Sequence, residues 1–273
     1  MKERTISFES KVKQMLKMEI NRIIGRPIFW LVILVGIVIA VWPIIQTWPH
    51  GVTDAVYVTY TGSAYIMWMY ILQSGLYHIY ALTFPLLTTL AYSDAYAEDF
   101  NTGFIKNILT KVEKKKYLKV RYGVNFVLGG LVVVFPLVIN FMGEMLAYPL
   151  IENSLYFGMR MVTVNGFMPE LFYSHPFIYT VLRMLSIFLF GGMLSSLALA
   201  LSTVIKNRYI VLVFPFIILI GLDVLLDSFG LYSISNLFLY NNGAAQWNLL
   251  VLLIGIPGGF IWYYWAGMKN ETI

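Results

Sequence analysis

Residues 99–121 read DFNTGFIKNILTKVEKKKYLKVR, with six lysines and one arginine in a chain that is 59% hydrophobic and only 12% charged. In so apolar a chain this concentration is a topological signal, because short basic segments resist translocation across a bilayer. The run before it, Ala55 to Ser93, is 39 residues without a charge. One spanning helix takes roughly 20 apolar residues, so 39 is too many for one span and too few for two with a turn. Two spans would also carry the lysine cluster to the opposite side of the membrane. The expectation is one helix at 74–92, with 55–73 (AVYVTYTGSAYIMWMYILQ) an interfacial, oblique or re-entrant segment.

Five further apolar runs complete an expected set of six spans: 28–45, 122–142, 177–205, 209–226 and 247–265. Six spans place both termini on one side. With the N-terminus, the 93–121 loop, the 206–208 turn and the C-terminus assigned to the cytoplasm, those segments hold 7, 7, 2 and 1 Lys/Arg, or 17 of the 19. Only Arg160 and Arg183 lie elsewhere. The fold class expected is therefore an all-α integral membrane protein with cytoplasmic termini, in a cell membrane, with a bacterial plasma membrane the expected one.

Composition agrees. Mean hydropathy is +0.73 and 16% of residues are aromatic, which suits a multi-pass protein. The net charge of +5 is gathered at the expected inner face rather than spread as a nucleic-acid footprint. Zero cysteines exclude disulfides, thiol catalysis and thiolate metal sites. The first apolar run is too long for the core of a cleaved leader, and no small-x-small site follows it. No internal repeat is evident, and the outer loops 46–73 and 143–175 are too small for a second domain. The whole of 1–273 reads as one transmembrane domain.

Before the first span, 8–25 (FESKVKQMLKMEINRIIG) is amphipathic. Val12, Met15, Leu16, Ile20, Ile23 and Ile24 share a face, with Lys13, Gln14, Lys17 and Asn21 opposite, as in a helix lying on a membrane surface. Arg22 and Arg26 are expected to reach lipid phosphates. Glu19 falls inside the apolar sector. It either snorkels to water or a nearby lysine, or makes a fixed contact to another cytoplasmic element.

The combination of MLKMEINRIIGRPIFW at 15–30 with residues 99–121 resembles the permease subunits of ATP-binding-cassette (ABC) transporters of the type-2 exporter class. The order Asp99-Phe100, Gly103, Ile105, Ile108, Leu109, Thr110, Lys114–Lys116, Tyr117 follows that family's pattern after the second span, and Glu19 fills its elbow-helix position. Phe104 departs from it, standing where a small hydroxyl residue usually follows the glycine, and the proline common before the basic patch is missing. The resemblance implies that 94–121 is a coupling loop. Asp99, Phe100, Gly103, Phe104, Ile105, Ile108, Leu109 and Thr110 would dock on a separate ATPase subunit that carries ATP and Mg. It also implies a second permease subunit, as homo- or heterodimer.

The residues themselves supply part of this. No G-x-x-x-x-G-K-[ST] occurs, so the chain has no phosphate loop of that type. Phe104, Ile105, Ile108 and Leu109 form an apolar face too short to span. The lysines at 111–119 read mainly as topological anchors attracted to anionic headgroups.

Inside the membrane, Arg183 lies some six residues, roughly 9 Å, below the start of the fourth span, and Asp223 reaches a similar depth in the fifth. They are expected to pair, or else both to face water at headgroup level. Glu144, Glu152 and Glu170 read as outer-loop acids. His50, His78 and His175 lack metal-ligand spacing, His78 being a hydrogen-bonded packing residue in preference to a relay. Gly191-Gly192 and Ser195-Ser196 suit close helix approach, and Pro85, Pro136 and Pro215 suit kinks.

Three functions follow from different classes. One is an exporter permease. Another is a membrane-embedded enzyme, for which no H-E-x-x-H, G-x-S-x-G or acid–histidine constellation is present. The third is a non-transporting immunity or sensor component. Trp68, Tyr70, Tyr77 and Tyr80 suggest an aromatic surface for an amphipathic or apolar cargo such as a peptide, antibiotic or lipid.

Overall fold

A computed structural model describes residues 2–48, 63–71, 75–151, 162, 164–240 and 243–270. Residues 55–62 and 72–73 of the expected 55–73 segment, with His50, Glu152 and Arg160, lie outside the described residues. Among those described, the regular structure is helical. In order the helices are α1 (Lys2–Ile24), α2 (Pro27–Thr47), α3 (Ala64–Tyr70), α4 (Gly75–Leu90), α5 (Ala95–Asn101), α6 (Phe104–Leu109), α7 (Lys114–Ala147), α8 (Pro169–Ser174), α9 (Pro176–Val204), α10 (Arg208–Ser228), α11 (Ile234–Phe238) and α12 (Ala245–Lys269).

Five of these, α2, α7, α9, α10 and α12, are long and apolar enough to cross a membrane, which makes this an all-α multi-pass architecture. Helix α4 falls within the expected 74–92 span but is only 16 residues long, short of a straight crossing. The second difference is at α7. Its helix does not wait for the apolar run at 122 but starts at Lys114 and continues for 34 residues, about 50 Å at the α-helical rise. Lys115, Lys116, Lys119 and Arg121 therefore stand on the first turns of a rigid rod. Glu144 is on the same rod and is buried, so it is not an ordinary loop acid.

Helix α9 is the hub. Of its most apolar window 72% is buried, against 17% for α10 and for α12. It approaches α7 where Gly129-Gly130 meets Gly191-Gly192. A Cβ added at Gly130 would stand 2.6 Å from the Phe188 backbone oxygen, and one at Gly129 would stand 2.3 Å from Ser195 Oγ. Small residues thus let two backbones close within one chain. The crossing is stitched by Asn125 Nδ2 donating to Ser195 O at 2.8 Å and Ser195 Oγ to Asn125 O at 3.1 Å. Pro85, Pro136 and Pro215 all lie inside helices.

Helix α3 is buried against α7 and α9 rather than lying on lipid. Ser63 Oγ caps its N-terminus, and Trp68 Nε1 donates to Leu137 O at 3.1 Å. Tyr77 and Tyr80 are buried too, their hydroxyls donating to Leu239 O at 2.7 Å and Val133 O at 2.5 Å. Trp68, Tyr77 and Tyr80 are therefore core residues and present no aromatic surface to a cargo. The Tyr70 side chain is outside the described residues.

Candidate functional site

Helix α1 has three faces. Leu16, Ile20 and Ile24 point outward and are exposed. Gln14, Lys17 and Asn21 line an open groove with Met18 and Arg22. Met15, Glu19 and Ile23, one turn apart, point into the protein and are buried. The apolar stripe read from the sequence is thus split, and Glu19 sits inside the half that packs. Of its two readings, the fixed internal contact is the one formed.

Glu19 Oε2 accepts from Arg121 Nη1 at 3.0 Å and from the Tyr92 hydroxyl. Arg121 is fully buried. Its Nη2 donates to Asp99 Oδ2 and, at 3.0 Å, to the Tyr117 hydroxyl. Its Nη1 also reaches the Tyr92 hydroxyl at 2.7 Å. Asp99 is held again by Arg22 Nη2 at 2.6 Å and by the Tyr117 hydroxyl at 2.8 Å. One guanidinium thereby bridges carboxylates from α1 and α5, while standing on the first turns of α7.

A second layer lies beside it. Arg26 pairs with Asp94 at 2.6 Å and with Glu98. Arg208, opening α10, pairs with Asp94 at 2.7 Å and Glu98 at 3.6 Å. Four carboxylates thus meet four guanidinium groups across α1, the turns at Arg26 and Asp94, α5, α7 and α10. Arg22 and Arg26 are committed to protein acids rather than to lipid phosphates. The desolvation of so many charges is offset only because nearly all are bidentate or doubly paired.

The expected docking residues divide. Gly103, in the left-handed region at φ 71, makes the sharp turn from α5 to α6 that a side chain would strain. Asp99, Ile105 and Ile108 are buried, and the two isoleucines pack with Met15, Tyr117 and Leu118. They are therefore withheld from any docking partner: the same apolar face that suits a partner is needed to seat α6 on this chain. Phe104 is half-buried beneath Arg22, 5.1 Å from ring centroid to guanidinium carbon. Phe100, Lys106, Asn107 and Thr110 remain exposed, with Leu109 half-buried. A cavity of about 310 Å³ opens between α1 and α6, lined by Met15, Met18, Phe104, Asn107, Ile108 and Lys111.

Lys206, in the turn between α9 and α10, stands over Phe100 at 4.2 Å and Tyr96 at 5.0 Å. Its Nζ donates to Thr203 O at 2.6 Å and Ser202 O at 3.2 Å, closing the C-terminus of α9. Burial pulls its amine down to about 8.

At the other end of α9 the Arg183–Asp223 pair does not form. Asp223 Oδ1 accepts from the backbone nitrogens of Ile234 at 2.7 Å and Ser235 at 3.2 Å, capping α11. A carboxylate is favoured by the orphan amides and positive end of a helix N-terminus. Arg183 is buried rather than facing water, and its Nη1 donates to Leu237 O at 3.2 Å. His78 is exposed on α4, its ring 5.5 Å from that of Tyr240. Between α9, α10 and α12 lies an apolar cavity of about 230 Å³, with Leu197, Phe214, Ile218, Leu222 and Trp262 among its walls. Among the described residues no cluster of His, Asp or Glu has the arrangement of a metal site.

Arg121, Arg22, Arg26, Asp94, Glu98, Tyr92 and Arg208 were not singled out as site residues from the sequence. A signal was available: Arg22/Arg26, Asp94/Glu98 and Tyr117/Arg121 are all i,i+4 pairs. Comparison with protein-family models, with curated proteins and with solved structures finds no match.

Proposed function

We propose that this chain is the membrane-spanning permease subunit of an ABC-type exporter, with α4 as a sixth crossing, both termini cytoplasmic, and ATP hydrolysed on a separate subunit. The observation that carries the reading is the ion-paired junction around Arg121. Helices α5 and α6 do not hang from the membrane as a loose loop. They are joined through Asp94, Glu98 and Asp99 to α1, α7 and α10, so a push on this corner reaches three long helices at their roots.

That is the mechanical need of a subunit that receives work from outside itself. The contact surface in this reading is Phe100, Lys106, Asn107, Leu109 and Thr110, while Asp99, Ile105 and Ile108 transmit rather than touch. Glu19 joins the transmitting set. The lysine-rich start of α7 keeps the junction at the anionic inner face. An amphipathic or hydrophobic cargo is supported by the apolar cavity beside Trp262, and a paired second permease by the largely exposed apolar faces of α10 and α12.

The test is affinity purification of the tagged chain from native membranes. An ATPase subunit should co-purify, its hydrolysis should depend on this chain, and Lys106→Glu with Thr110→Arg should weaken the association without unfolding the chain. If no ATPase accompanies it, the reading fails.

A further inference from the structure

Arg183 is 1% exposed, seven residues into α9, on the membrane half opposite the Arg121 junction. A guanidinium has five N–H donors. Among the described residues none of its nitrogens has a carboxylate within 4.0 Å, and Nη1 alone is hydrogen bonded, to Leu237 O. Among the described residues Nε and Nη2 have no hydrogen-bond partner.

These two orphans are not scattered. They form one edge of the planar fork, the edge whose parallel N–H groups match two oxygens of a carboxylate or phosphate. The rest of the guanidinium is fixed. Leu237 O, at the C-terminal end of α11, takes the Nη1 edge, and Asn248 Nδ2 donates to the same carbonyl at 3.1 Å. The Phe167 ring covers the guanidinium 5.5 Å away. The acid that could have closed the remaining edge, Asp223, is held by the α11 amides. A charge buried in a spanning helix with its bidentate edge unused is strongly disfavoured unless an anion or water reaches it.

We propose that the Nε–Nη2 edge of Arg183 binds one oxyanion, a phosphate or carboxylate, drawn either from the headgroup of an anionic amphipath in the bilayer or from solution. The site stands on its own geometry and holds whether or not the chain transports anything. Its preorganisation predicts selectivity for two-oxygen anions over halide, because a spherical ion cannot use both donors in line.

The experiment uses the purified full chain in nanodiscs. In the lipid arm, phosphatidylcholine discs with and without phosphatidylglycerol are compared by native mass spectrometry of the lipid retained after release. In the solution arm, inorganic phosphate or chloride is titrated against protein in phosphatidylcholine discs, and thermal midpoint is read. Wild type should retain phosphatidylglycerol, or be stabilised by phosphate and not by chloride; which arm responds names the source.

Arg183→Gln should weaken that binding at least about tenfold, corresponding to ~1.4 kcal/mol, and Arg183→Lys, which keeps the charge without the fork, should fall between. Should Arg183→Gln not fold, the Arg183→Lys shift carries the comparison. Equal retention by wild type and Arg183→Lys in both arms overturns the proposal. So does non-additivity between Arg183→Gln and Glu152→Gln or Asp54→Asn, two acids that lie outside the described residues, because the chain would then supply its own anion.

Discussion

Arg121 and Arg183 are both buried arginines on the two helices that cross at the centre of the protein, yet their surroundings are opposites. Arg121 has carboxylates from Glu19 and Asp99 and hydroxyls from Tyr92 and Tyr117. Among the described residues Arg183 has one carbonyl and the face of a ring. Burial of a charge therefore does not reveal its role; the set of partners does. A guanidinium whose two terminal nitrogens are both taken by carboxylates of its own chain joins elements, and one left with a bidentate edge is equipped to bind.

The contrast is broken most directly at Arg121. Arg121→Gln leaves Glu19 and Asp99 buried without their shared cation, and loss of one partner from such a site costs about 3–5 kcal/mol. Unfolding in mixed micelles, followed by tryptophan fluorescence, should show that loss, and Glu19→Gln added to Arg121→Gln should restore part of it. The same substitution at Arg183 should be close to neutral in phosphatidylcholine. Equal losses at both positions would erase the distinction between the two arginines.

A smaller effect is expected at Asp223, which decides where the Arg183 anchor sits. Asp223→Ala removes the carboxylate that accepts from the first two amides of α11, leaving the Ser233 cap in place, and should cost about 1 kcal/mol, with faster hydrogen exchange at Ile234 and Ser235. Asp223→Asn keeps an acceptor oxygen and should lose much less. If Asn is as damaging as Ala, the negative charge itself matters, and the expected Arg183–Asp223 attraction regains weight.

The helical, multi-pass architecture was legible because apolar runs of spanning length have few alternatives in water or lipid. The close crossing at Gly191-Gly192 was legible for a related reason: small residues in an apolar helix mark where a neighbour approaches. The junction was only half visible. Glu19 stood out as an acid in an apolar stripe, but its partner Arg121 is 102 residues away and was hidden among lysines that serve topology. A run of cations gives no local hint that one of them, a helical turn after Tyr117, turns inward. Ile105 and Ile108 were ambiguous for another reason. An apolar face on a short helix looks the same whether it meets a partner chain or its own, and only the third dimension assigns it. Asp223 shows the limit of depth matching, because a backbone N-terminus competes for a carboxylate as well as an arginine does.

Lys206 sharpens the comparison at its weakest end. Like Arg183, it is held by carbonyls and aromatic rings, and among the described residues no carboxylate lies within 4.0 Å of it. Unlike an arginine, it can give up its proton. Its amine is pulled from 10.5 down to about 8 by burial, so between those values the unfolded chain binds the proton that the folded chain has released. Stability therefore carries a penalty while Lys206 is charged, and that penalty is relieved as pH rises from 8 toward 10.5. Pulsed acylation of amines read by mass spectrometry should show Lys206 reaching half its limiting reactivity near pH 8, and Lys206→Met should remove the corresponding slope from stability against pH. A reactivity midpoint above 10 would mean that two carbonyls and two rings compensate a buried cation as fully as carboxylates do, and the distinction drawn between Arg121 and Arg183 would lose its physical basis.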